Sequence, residues 1–406
     1  MAAAAESFSG KTILCLATQE WDAHWTPVQQ VMLRLTPRNR VIYFEPFHPP
    51  LAWLKRSNSH LKDRHREGQP QLRQIKENLW IYRPESAYLP GNMRSSFAAK
   101  WNARLYKAEI ARLLKQLGGS KKCWLWAFFA QSLSVLELEF EHIIYDCVDD
   151  WPSFFPHKAE RQFVTHVDEA LCRSAELVFV GSQPLYQKKV GFNPQTFVVN
   201  HAADIEHFQK ASQSGTVVPA DLDCVPRPRI GFAGMMDSLR FDENLIRHLA
   251  EDPRLQIVLV GGCIGDARRL LPQKPNVHWL GMKPVSQLPA YLKGMDVCIM
   301  PYKINETTRY IYPLKLHEYM ATGKPIVATA IPAVENFREL IYVADGPAEF
   351  IKYVALGAEE NNAGKCLRRQ ECARKHSWEV HVSEKARLIE QHLLHFLHPP
   401  VEGRQA

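Results

Sequence analysis

The sequence has no apolar run approaching the roughly 20 residues needed to cross a bilayer, so no membrane-spanning helix is expected. Its first residues, MAAAAESFSGK, lack the basic and long apolar regions of a secretory leader. Nine cysteines are present, but none form a C-x-x-C pair and their number is odd. A disulfide framework and a zinc ribbon are therefore not indicated, and a reducing cytoplasm is the expected compartment. The histidines form no H-E-x-x-H set, and no period of 20–50 residues repeats, which excludes a zincin site and a solenoid.

What is present is ordinary globular composition, 46% hydrophobic and 23% charged, on a 406-residue chain long enough for two domains. The formal net charge of +7 hides an asymmetry. Leu51 to Lys122 holds 16 Lys+Arg against 5 Asp+Glu, a net of +11, leaving −4 on the other 334 residues. Such a block is either a solvated helical face or the docking surface of an anionic partner: lipid headgroups, a phosphate-bearing substrate or nucleic acid. No RNP, KH or helix-turn-helix pattern accompanies it, so no nucleic-acid partner is expected.

Short apolar runs alternate with amphipathic stretches, the pattern of an α/β protein with mainly parallel strands. Thr12–Ala17, Arg40–Phe44, Trp80–Tyr82, Lys122–Trp126, His142–Tyr145 and Leu177–Val180 read as strands of a first half. Thr26 and Pro27 read as the cap and first residue of a helix, and Phe97 to Leu117 as a long basic helix. A Ser/Gly/Pro-rich stretch follows from Ser212 to Pro228. The rhythm then restarts with Arg229–Ala233, Leu255–Val260, Val277–Leu280, Val297–Met300 and Pro325–Ala328, with helices at Asp242–Glu251 and Ser286–Lys293 between them. This predicts an N-terminal Rossmann-like domain over 1–208, a linker over 209–228 and a second Rossmann-like domain over 229–378. A last helix within 379–406 is expected to return to the first domain. In open sheets of this kind ligands bind beyond the carboxyl ends of the strands, so the expected site is the interdomain cleft.

Tyr312 to Val327 is the most specific segment. Pro313 suits a first helical turn, whose free N–H groups and dipole make an anion site, with Leu314 and Lys315 next to it. Glu318 lies about one and a half turns after Pro313, where a carboxylate can accept from a ribose diol. Taken alone, Lys315 and Glu318 read better as a plain i, i+3 surface pair on a helix that packs on the sheet. Gly323 fits the helix end and Pro325 opens a strand. Gly234, after the first strand of the second half, can bring backbone N–H groups against a diphosphate, with Arg240 to neutralise it; a simple tight turn is the alternative. The glycines Gly261, Gly262 and Gly265 lack G-x-G-x-x-G spacing and read as turn chemistry.

This segment resembles the donor motif of GT-B glycosyltransferases, particularly family 4, roughly P-x-K-x-x-E-Y-x-A-x-G-x-P-V-V. Pro313, Lys315, Glu318, Tyr319, Ala321, Gly323, Pro325 and Val327 match it. Pro275–Gly281 resembles the strand and turn before the family's base pocket, and Leu288–Pro301 the helix and strand leading to its donor loop. His201–Phe208 resembles its H-G-V-D-x-x-x-F junction, and Ser377-Trp378 the start of its last helices. Two positions depart from the pattern: Tyr310 stands where many members carry a second Glu, and Ala202 replaces the junction glycine.

The resemblance implies α/β architecture of GT-B type, two Rossmann-like domains facing across a cleft. It implies a glycosyltransferase moving a sugar from a nucleoside-diphosphate sugar, UDP favoured, to an acceptor hydroxyl. Gly234, Arg240, Lys315 and Leu314 would bind the phosphates and Glu318 the ribose. Neither cofactor nor metal is expected: GT-B enzymes need no D-x-D site, and Asp146 and Asp149 lack that spacing. The loop Asp146–Ser153 resembles the Y-x-x-x-D loop of xanthan-type inverting glucuronosyltransferases, with Asp149 as the general base. Asp149 and Asp150 read alternatively as cap residues. Asp22 and His24, after the first strand, are further catalytic candidates, and Trp21 and Trp25 form either an acceptor wall or packing. A retaining transfer, a sugar-nucleotide epimerase and a non-catalytic polysaccharide-assembly scaffold remain open on sequence. The expected acceptor is a lipid-linked or polysaccharide glycan. The expected location is the cytoplasmic face of a membrane, held by the basic stretch 51–122, with Trp53, Leu54, Lys55, Arg56, Lys62, Arg64 and Arg66 as the anchor.

Overall fold

The computed structural model describes residues 8–47, 71–91, 93–118, 123–264 and 267–394. The proposed anchor from Trp53 to Arg66 lies outside the described residues. The chain divides into two units, one of residues 1–199 with 381–406, the other Asn200–Val380.

The first unit is built on an eight-stranded sheet ordered β3-β4-β2-β1-β5-β6-β7-β8. The strands are β1 (Thr12–Leu16), β2 (Arg40–Phe44), β3 (Leu72–Lys76), β4 (Leu79–Tyr82), β5 (Cys123–Ala127), β6 (His142–Cys147), β7 (Leu177–Val180) and β8 (Thr196–Val198). All pairings are parallel except β3 with β4. Residues of β1, β2, β5 and β7 are buried almost throughout, as strands covered on both faces must be. The order reverses between β2-β1 and β5-β6, which places the unit's open crevice at the carboxyl ends of β1 and β5. Pro27 opens the helix Pro27–Leu35, and the Thr26 N–H donates to Gln29 Oε1 at 3.1 Å. The helix Ser96–Gln116 is capped by Ser95, whose Oγ accepts from the Ala98 N–H at 3.3 Å.

In the second unit six parallel strands take the order β13-β11-β9-β14-β15-β16. They are β9 (Arg229–Ala233), β11 (Gln256–Val260), β13 (Val277–Gly281), β14 (Val297–Met300), β15 (Ile326–Thr329) and β16 (Tyr342–Ala344), with a small β10 (Met236–Asp237) and β12 (Cys263–Ile264) pair beside them. Alternate residues feed opposite faces. Ala233, Val260, Met300 and Ala328 pack with the helix Leu314–Thr322. Phe232, Leu259, Ile299 and Val327 pack with Glu243–Leu249 and Pro347–Ala358. This doubly wound arrangement has its switch point between β9 and β14.

The segment 209–228, expected as a linker, instead packs into the second unit. Leu222 is fully buried and Val225 nearly so in that unit's core. Asp221 accepts from Lys283 Nζ at 2.6 Å and from the Tyr291 hydroxyl at 2.9 Å. A few apolar residues in a polar segment suffice to dock it.

The helix Trp378–Ile389 starts in the second unit, where Ser377 bridges to Ala203, and continues into residues of the first. There the Lys385 ammonium donates to the Asp146 carboxylate, both groups buried, and Glu390 accepts from the Phe8 N–H at 2.6 Å.

Candidate functional site

In the second unit the sequence motif folds as one helix, Leu314–Thr322. Pro313 is its N-cap rather than its first residue; no side chain caps it. The Leu316 N–H donates to the Pro313 carbonyl at 3.2 Å, so in the first turn the N–H groups of Leu314 and Lys315 are the ones open to a ligand. Gly323 ends the helix at φ +76, a conformation only glycine takes cheaply.

Lys315 and Glu318 are both half-buried on the first turns of this helix. Among the described residues neither makes an ion pair, so the surface-pair reading does not hold. Burial lowers the Lys315 ammonium below its ordinary value, and Arg240 pushes the same way against the pull of Glu318. Burial raises the Glu318 carboxyl, opposed by Lys315 and by His207. Two opposite charges thus sit partly desolvated and short of partners, an arrangement that a bound charged and polar ligand would relieve.

Gly234 adjoins Lys315. It has φ +158, and a Cβ there would lie 2.0 Å from Lys315 Cε and 2.3 Å from Nζ. The ammonium also stands 5.6 Å from the centre of the Phe232 ring. Gly261, read from sequence as turn chemistry, meets a stricter demand, since a Cβ on it would fall 1.8 Å from the Gly234 carbonyl oxygen. The loops after β9 and β11 can only approach this closely through a glycine. Gly234 N–H donates to Val260 O at 2.7 Å and Gly261 N–H to Gly281 O at 2.8 Å, which locks three strand ends together.

Arg240 is held by Asp237, with Nε 2.7 Å from Oδ2. Its carbonyl accepts from the Lys303 N–H at 2.8 Å, fastening the loop after β14 to the loop after β9. Gly234, Arg240, Lys315, Leu314 and Glu318 therefore gather at the switch point. Three contributors were not assigned from sequence. The Tyr319 hydroxyl accepts from the Ala233 N–H at 2.8 Å, tying the motif helix to the strand end before Gly234. Tyr302 lies in the electrostatic field of both Arg240 and Glu318. His207 favours the charged form of Glu318, and its Nε2 is 2.9 Å from the Val285 carbonyl. The spacing of the motif points to Tyr319; nothing in the sequence joins residue 207 to residue 318.

The first unit holds its candidates differently. His24 is exposed on the loop after β1. That loop is stapled by Gln19, whose Nε2 donates to His24 O at 2.7 Å and to Thr26 Oγ1 at 2.9 Å. Asp22 pairs with Arg73. Trp21 is buried, edge-on to Tyr43 at 5.1 Å and to Trp25 at 5.4 Å, so it is packing rather than an acceptor wall. Its N–H donates at 2.8 Å to Glu45, a carboxyl that burial pushes up to about 7 and that sequence reading passed over.

Asp149 follows β6 and is half-buried. Its carbonyl accepts from the Trp151 N–H at 3.0 Å, and Trp151 Nε1 donates to Phe128 O at 3.1 Å, tying this loop to the one after β5. Asp150 is 1% exposed and accepts from Lys188 Nζ at 2.7 Å, with Ser153 N–H on its carbonyl at 2.9 Å. Its Oδ1 is thus engaged by a half-exposed lysine, while its Oδ2 is buried without a hydrogen-bond partner among the described residues. One strand, β5, separates β1, whose following loop carries His24, from β6, whose following loop carries Asp149.

Residues 227–356 match the family described as glycosyl transferases group 1. The chain is 27% identical over 304 residues, 67% of its length and 74% of the relative's, to TuaH of Bacillus subtilis (strain 168), provisionally named a teichuronic acid biosynthesis glycosyltransferase. Among solved structures it resembles sucrose-phosphate synthase from Thermosynechococcus elongatus, with TM-score 0.65 and 15% identity over 94% of this chain and 98% of that one. It likewise resembles Anabaena HepE in complex with UDP and glucose, with TM-score 0.63 and 16% identity over 95% of this chain and 100% of that one. These likenesses identify the two-unit architecture as the GT-B fold. With a group 1 glycosyltransferase domain built around the switch point of its second unit, the chain is a glycosyltransferase of GT-B fold.

Proposed function

We propose that the second unit binds a nucleoside-diphosphate sugar, with UDP as the nucleotide, and that the first unit binds a glycan acceptor, lipid-linked or polysaccharide. The observation that carries the donor reading is the pair Lys315 and Glu318, half-buried, oppositely charged and paired neither to each other nor elsewhere among the described residues. Lys315, Arg240 and the amides at Gly234 and Leu314 meet the diphosphate; Glu318 accepts from the ribose hydroxyls. The exposed Met282 and Val285 after β13, with the Val285 carbonyl held by His207, offer an apolar edge to the base. HepE, a structural neighbour, is described with UDP and with UDP-glucose, which supports UDP over GDP. TuaH is named for teichuronic acid synthesis, which supports a polysaccharide or lipid-linked acceptor.

In the transfer the acceptor oxygen bonds to the anomeric carbon as the bond to the diphosphate breaks. With inversion, the half-buried Asp149 takes the acceptor proton; with same-face displacement, the leaving diphosphate takes it. Thermal shift with UDP, GDP and dTDP tests the donor reading, because binding to the native state raises the midpoint. UDP should raise it most, and Lys315→Ala and Glu318→Ala should abolish the rise. A shift equal in both variants, or none with any nucleotide, would overturn it. Release of free UDP with a glycosylated product separates transfer from epimerisation.

A further inference from the structure

The helix Ser96–Gln116 has one face in the core and one face bare. Ala98, Asn102, Tyr106, Glu109, Ile110, Leu113 and Leu114 are its buried residues. Its single acidic residue, Glu109, is turned inward, accepting from the Tyr88 hydroxyl at 2.7 Å, Gln71 Nε2 at 2.8 Å and the Glu85 N–H at 2.9 Å. Asn102 clamps the neighbouring loop, accepting from Leu89 N–H at 2.7 Å and donating to Leu89 O at 2.8 Å.

The opposite face reads Phe97, Trp101, Arg104, Ala108, Arg112 and Lys115, at steps of four, three, four, four and three residues. These spacings align the six along one stripe of an α-helix. Lys100 flanks the stripe and is exposed. Phe97 is 70% exposed and Trp101 43%, an unusual cost for two large aromatics in adjacent turns. Among the described residues Lys100, Arg104, Arg112 and Lys115 make no ion pair, and the helix offers no exposed carboxylate. Arg94 at its entrance pairs with Glu160 and Lys107 with Glu137.

We propose that this face is the docking surface of the first unit for an anionic lipid bilayer. Phe97 and the rim of Trp101 enter the headgroup boundary at one end of the stripe. Lys100, Arg104, Arg112 and Lys115 lie against lipid phosphates along the rest. Aromatics insert where the interface is part apolar, and the cations attract the negative leaflet, so the two terms need each other on one face. A single-stranded nucleic acid also combines cations with stacked aromatics, but it needs the rings spaced along the path of its backbone; here both rings stand at one end of a helix face and Arg104, Arg112 and Lys115 continue without them. The inference rests on the lipid-linked acceptor reading for its purpose, since it brings the acceptor-binding unit to the surface carrying the acceptor. It moves the contact from Trp53–Arg66 to the described helix.

Co-sedimentation of the full chain with phosphatidylcholine vesicles, with and without 30 mol% phosphatidylglycerol, tests it. Binding is expected on the anionic vesicles alone and should weaken with added salt. Lys100→Glu with Arg104→Glu should lower partitioning at least about 25-fold, at roughly fivefold per cation. Phe97→Ser with Trp101→Ser should lower it about tenfold while leaving retention on heparin unchanged. All variants should keep the far-UV spectrum and the UDP thermal shift, which separates failure of docking from failure of the nucleotide reading. Three results would overturn the proposal: no binding to anionic vesicles, full binding by both helix variants, or loss only on Lys55→Glu with Arg56→Glu. An aromatic pair that changes heparin and vesicle binding equally would assign the face to a polyanion instead.

Discussion

The two units share an architecture but assemble their chemistry in opposite ways. In the second, one nine-residue helix carries a cation and a carboxylate that make no ion pair among the described residues, and glycines bring the neighbouring loops within reach. In the first, acids and histidine stand on separate loops, and most of them are already engaged: Asp150 with Lys188, Asp22 with Arg73, Glu45 with the Trp21 amide. A nucleotide is a fixed ligand that a contiguous motif can meet, whereas an acceptor site is assembled from the loops of several strands. The candidate site of the second unit is therefore readable from spacing, and that of the first from three-dimensional packing.

The comparison can be broken most sharply at Asp149. If it is the base, Asp149→Asn should lower kcat by about 10²–10⁴-fold with nucleotide affinity unchanged, measured by steady-state transfer and calorimetry. Unchanged kcat would assign the proton to the leaving diphosphate. Lys315→Ala should weaken UDP binding about 10–100-fold, the range for removing a charge-assisted bond, and calorimetry reads it directly. Asp150→Asn should act on folding instead, costing about 1–3 kcal/mol in urea unfolding because Lys188 is left beside a neutral partner, with UDP affinity retained.

A smaller effect follows from pH. Glu318 must be ionised for both of its oxygens to accept from a diol; its raised value means this is lost on acidification earlier than for an ordinary glutamate. Lys315 must be protonated to meet phosphate; its lowered value means this is lost on raising pH earlier than for an ordinary lysine. UDP affinity should thus be bell-shaped and narrowed on both sides. The smallest change belongs to His207. Removing it in His207→Gln should shift the acid limb of that curve to higher pH and raise the donor KM about two- to fivefold. An unmoved acid limb would place His207 outside the site.

Long buried strands were legible because both faces are covered, and β2, β7, β9 and β14 have the bounds read from sequence. β3 was missed since Leu72–Lys76 is a half-polar edge strand without a buried face, and β8 and β16 since three residues carry no period. The packed segment around Leu222 was misread because composition reports the average polarity of a stretch and not its one anchoring residue. At the site, Gly261 was underrated since the need for a missing Cβ comes from Gly234, 27 positions away. The role of Trp21 was undecidable until Tyr43 was seen against it.

The buried contact of Lys385 with Asp146 makes the first unit discontinuous: its sheet comes from the start of the chain and one of its supports from the end. Asp146 lies in β6, three residues before Asp149, so the carboxyl terminus braces the strand that presents the candidate base. Cutting the molecule after Val199 would yield no autonomous first unit. It would leave a buried carboxylate without its cation, so that unit is incomplete until the helix carrying Lys385 has been made.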